Sequence, residues 1–151
     1  MKNIPASLIK GLRERTGVGI MECKKALVES EGDIELAIEI LRKSSGEKAL
    51  KKAERPAAEG VIAVFSKGLV SCMVEINCET DFVAKDKSFI KYSEDVVTKL
   101  STNTNVNLEE LMEGELEEKR ERLVQNLGEN IVVRRIAKSD ETSDSVGLYL
   151  H

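Results

Sequence analysis

Apolar residues in the first part of the chain recur at the spacing of amphipathic helices. The two clearest stripes are Ile4, Leu8 and Leu12, and then Ile34, Ala37, Ile38 and Leu41. Between them, the Thr-Gly-Val-Gly run at residues 16–19 breaks the first helix, and a second helix from about residue 20 ends at Gly32. Asp33 is a favourable N-cap for the third helix. The pattern predicts a small three-helix domain over residues 1–44.

A polar stretch follows the predicted helical domain. The Ser-Ser-Gly run at residues 44–46 interrupts the apolar stripe, although residues 47–52 retain some helical character. Pro56 then disfavours a helical backbone at the residue before it. We therefore predict a linker over residues 45–58 and a second domain over residues 59–151.

The second domain combines strand and helix patterns. Residues 61–65 and 69–77 flank a Ser-Lys-Gly turn as a β-hairpin does, and the second segment alternates apolar and polar residues. Residues 131–137 are a third strand candidate. Two helical stripes lie between the strands, at Phe89, Tyr92, Val96 and Leu100, and at Leu116, Leu123, Val124 and Leu127. The sequence predicts an α+β fold, in which a three-stranded antiparallel sheet packs with helices on one face.

A new alternating pattern begins near the C-terminus. An apolar side chain occurs at every second position, at Val146, Leu148 and Leu150, which predicts the start of another strand. A strand of a few residues has little to pair with at a terminus. We therefore expect the natural protein to continue beyond residue 151.

Charge is distributed unevenly along the chain. Residues 1–58 contain 12 Lys and Arg against 9 Asp and Glu, a net charge of +3, whereas residues 59–151 contain 11 against 18, a net charge of −7. Phosphate binding depends on cationic surface, so the overall charge of −4 argues against nucleic acid as the main partner. No apolar run approaches the ~18 residues that a membrane helix needs. The N-terminus also lacks the apolar core of a signal peptide, so we expect a cytoplasmic protein with no membrane partner.

Residues that support catalysis or metal binding are scarce. The single histidine is the last residue, His151, and the three cysteines, Cys23, Cys72 and Cys78, form no CxxC pair. Residues 16–19 lack the Gly-Lys-Ser/Thr ending of a phosphate-binding loop. Seven glutamates lie between residues 109 and 121 without the pattern of a calcium loop, and they are typical of a solvated helix face. We predict no catalytic residue, no metal and no cofactor.

The segment over residues 77–86 joins a predicted strand to a predicted helix. Thr80 or Asp81 would cap a helical turn there, and Phe82 would be one of its first residues. Phe82 and Val83 can pack inward and fix the helix to the sheet, which is the commonest role of an aromatic at such a position. Alternatively, Phe82 can project beside Asp81 and insert into a partner, because aromatic residues are favoured interface anchors.

Three motifs in this chain resemble the elongation factor Ts family. They are TDFVAKD at Thr80–Asp86, RERTGVGIMECKKAL at Arg13–Leu27 and GENIVVRR at Gly128–Arg135. The motifs occur in the order that the family has, and together they span nearly the whole chain. One departure is Ile20, at a position that is often Met in the family.

The resemblance implies both a fold and a partner. Residues 1–44 would be similar to a ubiquitin-associated domain, and residues 59–151 would form the first half of the family's dimerisation-type core. The function implied is guanine-nucleotide exchange on the GTPase domain of elongation factor Tu during protein synthesis, which is not an enzymatic reaction. The partner-binding positions carried over are Arg13, Ile20, Met21, Lys24, Thr80, Asp81, Phe82, Val83, Leu127, Gly128 and His151.

These positions have different roles in the mechanism that the resemblance implies. Arg13, Ile20, Met21 and Lys24 would dock the helical domain on the partner. Asp81 and Phe82 would enter beside the switch region and disturb the groups around the bound magnesium. Magnesium offsets charge on the nucleotide phosphates, so its loss would weaken GDP binding.

Two other classes of function fit part of the sequence. A small enzyme would use Cys23 or Cys78 as a nucleophile, but an internal histidine base is lacking. A ubiquitin-type binding module would account for residues 4–44 and leave the motif at residues 80–86 unexplained. Retention of elongation factor Tu in a pull-down would distinguish the exchange factor from both.

Overall fold

The computed structural model describes residues 4–103, 105–139, 142 and 145–150 of the chain. Within them, helices and an antiparallel three-stranded sheet form the predicted α+β fold. The elements in chain order are α1 (Ala6–Thr16), α2 (Ile20–Glu29), α3 (Ile34–Lys52), β1 (Glu59–Lys67), β2 (Val70–Cys78), α4 (Asp81–Ala84), α5 (Lys87–Thr102), α6 (Leu108–Met112), α7 (Glu115–Leu127) and β3 (Val132–Lys138).

The first three helices end where local sequence signals place them, with one exception. Gly17 ends α1 in a left-handed conformation with φ of 69°, and its N–H donates to the carbonyl of Arg13. The Asp33 carboxylate caps α3 by accepting from the N–H of Leu36 at 3.0 Å. The predicted helices and the predicted N-cap are confirmed.

The exception is the end of α3, which lies at Lys52 and not near residue 44. The predicted linker over residues 45–58 is therefore wrong for its first eight residues. Ser45 and Ala49 are buried, and the Ser45 hydroxyl donates to the carbonyl of Leu41 within the helix. Packing of α3 against α7 outweighs the weak helix propensity of the Ser-Ser-Gly run.

Residues 53–58, which connect α3 to β1, are hydrogen-bonded to the sheet region. The side chain of Asn130 donates to the carbonyls of Ala53 and Arg55, at 3.3 and 2.8 Å. Arg134 donates to the carbonyl of Ala57 at 3.2 Å. The remaining connector is therefore short and fixed at three carbonyls.

The sheet has the order β1-β2-β3, and both strand pairs are antiparallel. Ala63 lies opposite Val74, and Val74 lies opposite Ile136, while the register shifts between Glu75 and Ile76. Alternate residues of β2 are buried beneath α5, whose apolar stripe is also buried. The three predicted strands and the helix that packs on one sheet face are confirmed.

Buried apolar residues form two separate cores. The small core lies among α1, α2 and α3 and consists of Leu12, Val18, Cys23, Ala26, Leu27, Ala37 and Leu41. The large core lies between the sheet and the later helices, and its largest fully buried members are Phe89, Ile76, Leu100, Leu111 and Ile131. Ala49 of α3 belongs to the large core, so α3 contributes to both.

The strand predicted near the C-terminus does not form in the described residues. Residues 145–150 have no regular secondary structure. Val146 and Leu148 instead line a cleft with Val64 and Met73, on the sheet face opposite α5. An alternating pattern also fits an extended segment that lies across a sheet face, which is why local alternation was an insufficient signal.

Candidate partner-binding surface

Phe82 projects from the one-turn helix α4, directly after β2. The Thr80 hydroxyl caps this helix by accepting from the N–H of Val83 at 3.4 Å. Val83 is 8% exposed and joins the large core, whereas Phe82 is 82% exposed. Successive helix residues point in directions about 100° apart, so a turn that buries Val83 turns Phe82 outward. Of the two interpretations of Phe82, the structure supports projection.

Asp81 lies beside Phe82 and is paired within its own turn. The Lys85 ammonium donates to the Asp81 carboxylate at 2.8 Å. This hydrogen bond lowers the pKa of Asp81 and raises the pKa of Lys85. Both groups are exposed, so the pair adds little stability and Asp81 stays ionised and accessible.

The backbone before α4 is held by a carboxylate from a distant part of the chain. Glu129 accepts from the N–H groups of Glu79 and Thr80, each at 3.0 Å, and from the Thr80 hydroxyl at 2.6 Å. In the opposite direction, the Glu79 carboxylate accepts from the N–H of Asn130 at 2.6 Å. The two loops at residues 79–80 and 129–130 are therefore joined by reciprocal hydrogen bonds.

The first turn of α2 presents a second set of the predicted residues. Ile20 and Met21 are 52% and 74% exposed, and Lys24 lies one turn along the same side of the helix. Cys23 of the same helix is fully buried in the small core, so the helix is anchored by its opposite side. Arg13 of α1 is also exposed.

A hydrogen bond joins this second set to the end of α7. The side chain of Asn126 donates to the carbonyl of Gly17, in the α1–α2 turn, at 2.9 Å. Leu127 and Gly128 follow directly, and Gly128 ends α7 in a left-handed conformation with φ of 77°. Glu129 comes next and reaches the α4 turn. Two hydrogen-bonded joints thus connect the α1–α2 turn, the end of α7 and α4.

We call this set of described residues the linked surface. Its members are Arg13, Ile20, Met21, Lys24, Thr80, Asp81, Phe82, Val83, Leu127 and Gly128. Val83 is the buried member and anchors α4 to the large core, while the exposed members combine apolar side chains with charges of both signs. The predicted residue His151 lies outside the described residues.

The described residues offer few alternatives for chemistry. They contain no group of three metal-ligating side chains, and none of their helices has the length and apolar character to cross a bilayer. The three cysteines are free and buried, and burial raises the pKa of each thiol. For Cys78, burial and the nearby carboxylate of Glu129 raise the pKa to about 11, which leaves little nucleophilic thiolate near neutral pH.

Sequence comparisons identify relatives that share these motifs. A family model described as Elongation factor TS matches residues 79–151, which begin at the loop before α4. Elongation factor Ts of Marinobacter nauticus is 54% identical over 153 residues, covering 100% of this chain and 52% of the relative. The proteins of that name from Hahella chejuensis and Saccharophagus degradans are 55% and 53% identical, covering 100% and 98% of this chain and 53% and 52% of the relatives.

This chain belongs to the elongation factor Ts family. The resemblance that the three motifs indicated is therefore confirmed. The chain spans about half the length of the curated elongation factor Ts proteins it matches. The role of each residue in the linked surface remains a prediction.

Sequence patterns missed the residues that hold this elongation factor Ts surface together. Glu129 and Asn130 belong to the GENIVVRR motif, yet their partners lie about 50 residues earlier. Asn126 reaches a carbonyl 109 residues earlier in the chain. Periodicity describes only neighbours along the chain, so the position of Glu129 directly after a helix-ending glycine was the one local signal available.

Proposed function

We propose that this chain acts as a guanine-nucleotide exchange factor for the translational GTPase elongation factor Tu, in the cytoplasm during protein synthesis. Membership of the elongation factor Ts family supports this proposal. The observation that carries it is the position of Phe82, an aromatic residue that is 82% exposed. Five hydrogen bonds hold the turn from which Phe82 projects and join it to the loop at residues 129–130. A solvated aromatic on a fixed turn is suited to burial in another protein.

Docking is the first step of the proposed mechanism. Ile20 and Met21 would contribute apolar area to an interface with the GTPase domain, and Arg13 and Lys24 would supply charges around them. Burying an apolar side chain of this size is worth about 1.5–3 kcal/mol. Leu127, Gly128 and His151 would extend the contact.

Exchange is the second step, and it would depend on Asp81 and Phe82. Phe82 would insert beside the switch region, which displaces the groups that hold magnesium at the nucleotide phosphates. Asp81 would bring a negative charge towards the same place, where magnesium offsets the phosphate charge. GDP would then dissociate faster, and this protein would make or break no covalent bond.

The energies required are compatible with a few side chains. If the factor binds nucleotide-free partner a hundredfold more tightly than GDP-loaded partner, GDP must weaken factor binding by the same hundredfold. That ratio corresponds to about 2.7 kcal/mol. Burial of Phe82 is of this size, so one aromatic residue has a large share of the coupling, and the docking residues supply the affinity.

The direct test measures release of a fluorescent GDP analogue from elongation factor Tu. We expect the wild-type chain to accelerate release in a concentration-dependent way, and we expect the Phe82→Ala chain to accelerate it far less. A Glu109→Ala chain is a suitable control, because it removes an exposed charge from α6, which contributes no residue to the linked surface. Release that is unchanged by the wild-type chain at any concentration would overturn the proposal.

A further inference from the structure

We infer that Glu129 is a positioning residue for Phe82: its carboxylate fixes the turn at residues 79–80 from which α4 projects. This inference rests on the proposed function, since the position of Phe82 matters only if Phe82 contacts a partner. Glu129 is half-buried behind the turn and Phe82 is exposed in front of it, so Glu129 would act through the backbone.

The need for such a residue follows from the backbone where β2 ends. The last residue pair between β1 and β2 joins Glu59 to Cys78, so the N–H groups of Glu79 and Thr80 lie beyond the strand ladder. Backbone N–H groups without a partner are unfavourable when water is restricted. Both donate to one oxygen of Glu129, and the Thr80 hydroxyl donates to the other.

The same hydroxyl connects Glu129 to the start of α4. The Thr80 oxygen donates to Glu129 and also accepts from the N–H of Val83, so one atom joins the carboxylate to the helix. Hydrogen bonds to a charged acceptor are about twice as strong as neutral ones. The direction of the first turn of α4, and hence of Phe82, is set by this chain of contacts.

Glu129 is itself held in place from two sides. Gly128, with φ of 77°, turns the chain out of α7 towards the loop before α4. The N–H of Asn130 donates to the carboxylate of Glu79, and Arg55 lies 3.6 Å from the same carboxylate. The two loops therefore fix one another through hydrogen bonds in both directions.

Two variants of Glu129 distinguish hydrogen bonding from charge. Glu129→Gln retains an acceptor oxygen for the two N–H groups, and the Thr80 hydroxyl can rotate to accept from the new amide. Glu129→Ala removes all three contacts. We expect the Ala variant to accelerate exchange of the Glu79 and Thr80 amide hydrogens with solvent about 10- to 100-fold in the free protein, and the Gln variant to have a much smaller effect.

Acceleration of GDP release from elongation factor Tu should follow the same order. We expect Glu129→Ala to lower it about tenfold and Glu129→Gln to restore most of it, since small displacements of a contacting group have effects of this size or larger. If the charge of Glu129 acted directly on the partner, the Gln variant would behave like the Ala variant. That result would overturn the inference.

A double-mutant cycle with Phe82→Ala tests whether Glu129 acts through Phe82. In the Phe82→Ala background, Glu129→Ala should lower GDP release little further, because the group it positions is already gone. Fully additive effects would contradict the inference. Thermal unfolding of every variant, with Glu109→Ala as the charge-matched control, separates a displaced turn from a lost fold.

Failure of the inference and failure of the proposed function give different results. If the wild-type chain does not accelerate GDP release, the proposed function fails, and amide exchange in the free protein still tests Glu129. If wild-type and Phe82→Ala chains behave as proposed while Glu129→Ala leaves amide exchange at residues 79–80 unchanged, the positioning role is wrong and the function stands.

Discussion

The small core and the large core each support an exposed apolar residue, but they differ in size. Among the described residues, the small core has seven buried apolar members from three helices and the α1–α2 turn, and the large core has seventeen from the sheet region and the helices around it. Each presents an exposed apolar residue, Met21 above the small core and Phe82 beside the large one. The comparison places the proposed docking residue, Met21, on a regular helix, and the proposed exchange residue, Phe82, on a one-turn helix that follows a hydrogen-bonded turn.

Met21 and Phe82 differ in which contacts fix the direction of the side chain. Met21 belongs to a regular helix whose other side buries Cys23, so helix geometry and the small core fix its direction. Phe82 lies in a four-residue helix that is too short to be stable alone. Burial of Val83 turns Phe82 outward, and polar contacts from Thr80 and Glu129 hold this turn in place.

The largest effect on stability should come from Phe89→Ala. Phe89 is fully buried in the large core, and truncating a buried Phe destabilises a protein by about 3–5 kcal/mol. We expect much or all of the sheet region to unfold at moderate temperature, as measured by thermal denaturation. A variant as stable as the wild type would show that the large core does not carry the stability of this region.

A smaller and more local effect is expected from Leu27→Ala in the small core. Leu27 is fully buried, and such truncations destabilise by about 2–5 kcal/mol. A core of seven residues retains little stability after the loss of one of them, so the amides of α1 and α2 should lose protection from hydrogen exchange while those of the sheet retain it. Equal loss of protection in both regions, measured by hydrogen exchange, would show that the two cores unfold as one unit.

The sequence predicted both cores well and their connection poorly. The stripes on the first helices, on α5 and on α7, and the alternation in β2, reflect burial of one side of an element, which is a local property. The end of α3 depends on packing against α7, 70–80 residues later. This packing is close at Gly46, where a Cβ atom, if one were added, would lie 3.2 Å from a carboxylate oxygen of Glu121. No local pattern carries that information.

The short helix α6 was also missed, although its signal was present. Asn107 and Glu110 form a capping box, in which each side chain accepts from the other residue's backbone N–H. In the sequence, the acidic run over residues 109–121 is typical of a solvated helix face, which does not separate α6 from α7. The spacing of Asn107 and Glu110 was the feature that distinguished a helix start from a loop.

The connector between the cores provides the third prediction, Asn130→Ala. The variant removes the donor to the carbonyls of Ala53 and Arg55, and loss of such buried hydrogen bonds typically destabilises by about 1–3 kcal/mol. Limited proteolysis should then cut within residues 53–58 earlier than in the wild type. First cleavage in β1 or β2 would contradict the idea that Asn130 holds the connector.

The smallest effect on stability should come from Phe82→Ala. Substitution of an exposed residue usually changes the free energy of unfolding by no more than about 0.5 kcal/mol. The matched pair is Phe89→Ala, which makes the same truncation seven residues later in a buried position. If Phe82→Ala lowered the melting temperature as much as Phe89→Ala does, Phe82 would have to pack internally in solution.

The residues of the candidate site come from the motifs and remain a prediction, whereas their arrangement in space comes from the structure alone. The motifs identified Phe82 and Met21, but the residues alone left open whether Phe82 projects, because the choice depends on which neighbour the turn buries. Val83 is that neighbour. The joints through Asn126 and Glu129 connect segments 50 to 109 residues apart, beyond the reach of periodicity or composition.

The most direct test of the account is the concentration dependence of GDP release from elongation factor Tu, with wild-type, Met21→Ala and Phe82→Ala chains of equal thermal stability. If Met21 only docks, its variant should need about 10- to 100-fold more protein to reach the wild-type maximal rate, the factor that corresponds to loss of one buried apolar side chain. If Phe82 acts on the nucleotide site, its variant should have a lower maximal rate even at saturation. A fully folded Phe82→Ala chain that reaches the wild-type maximal rate would contradict the account.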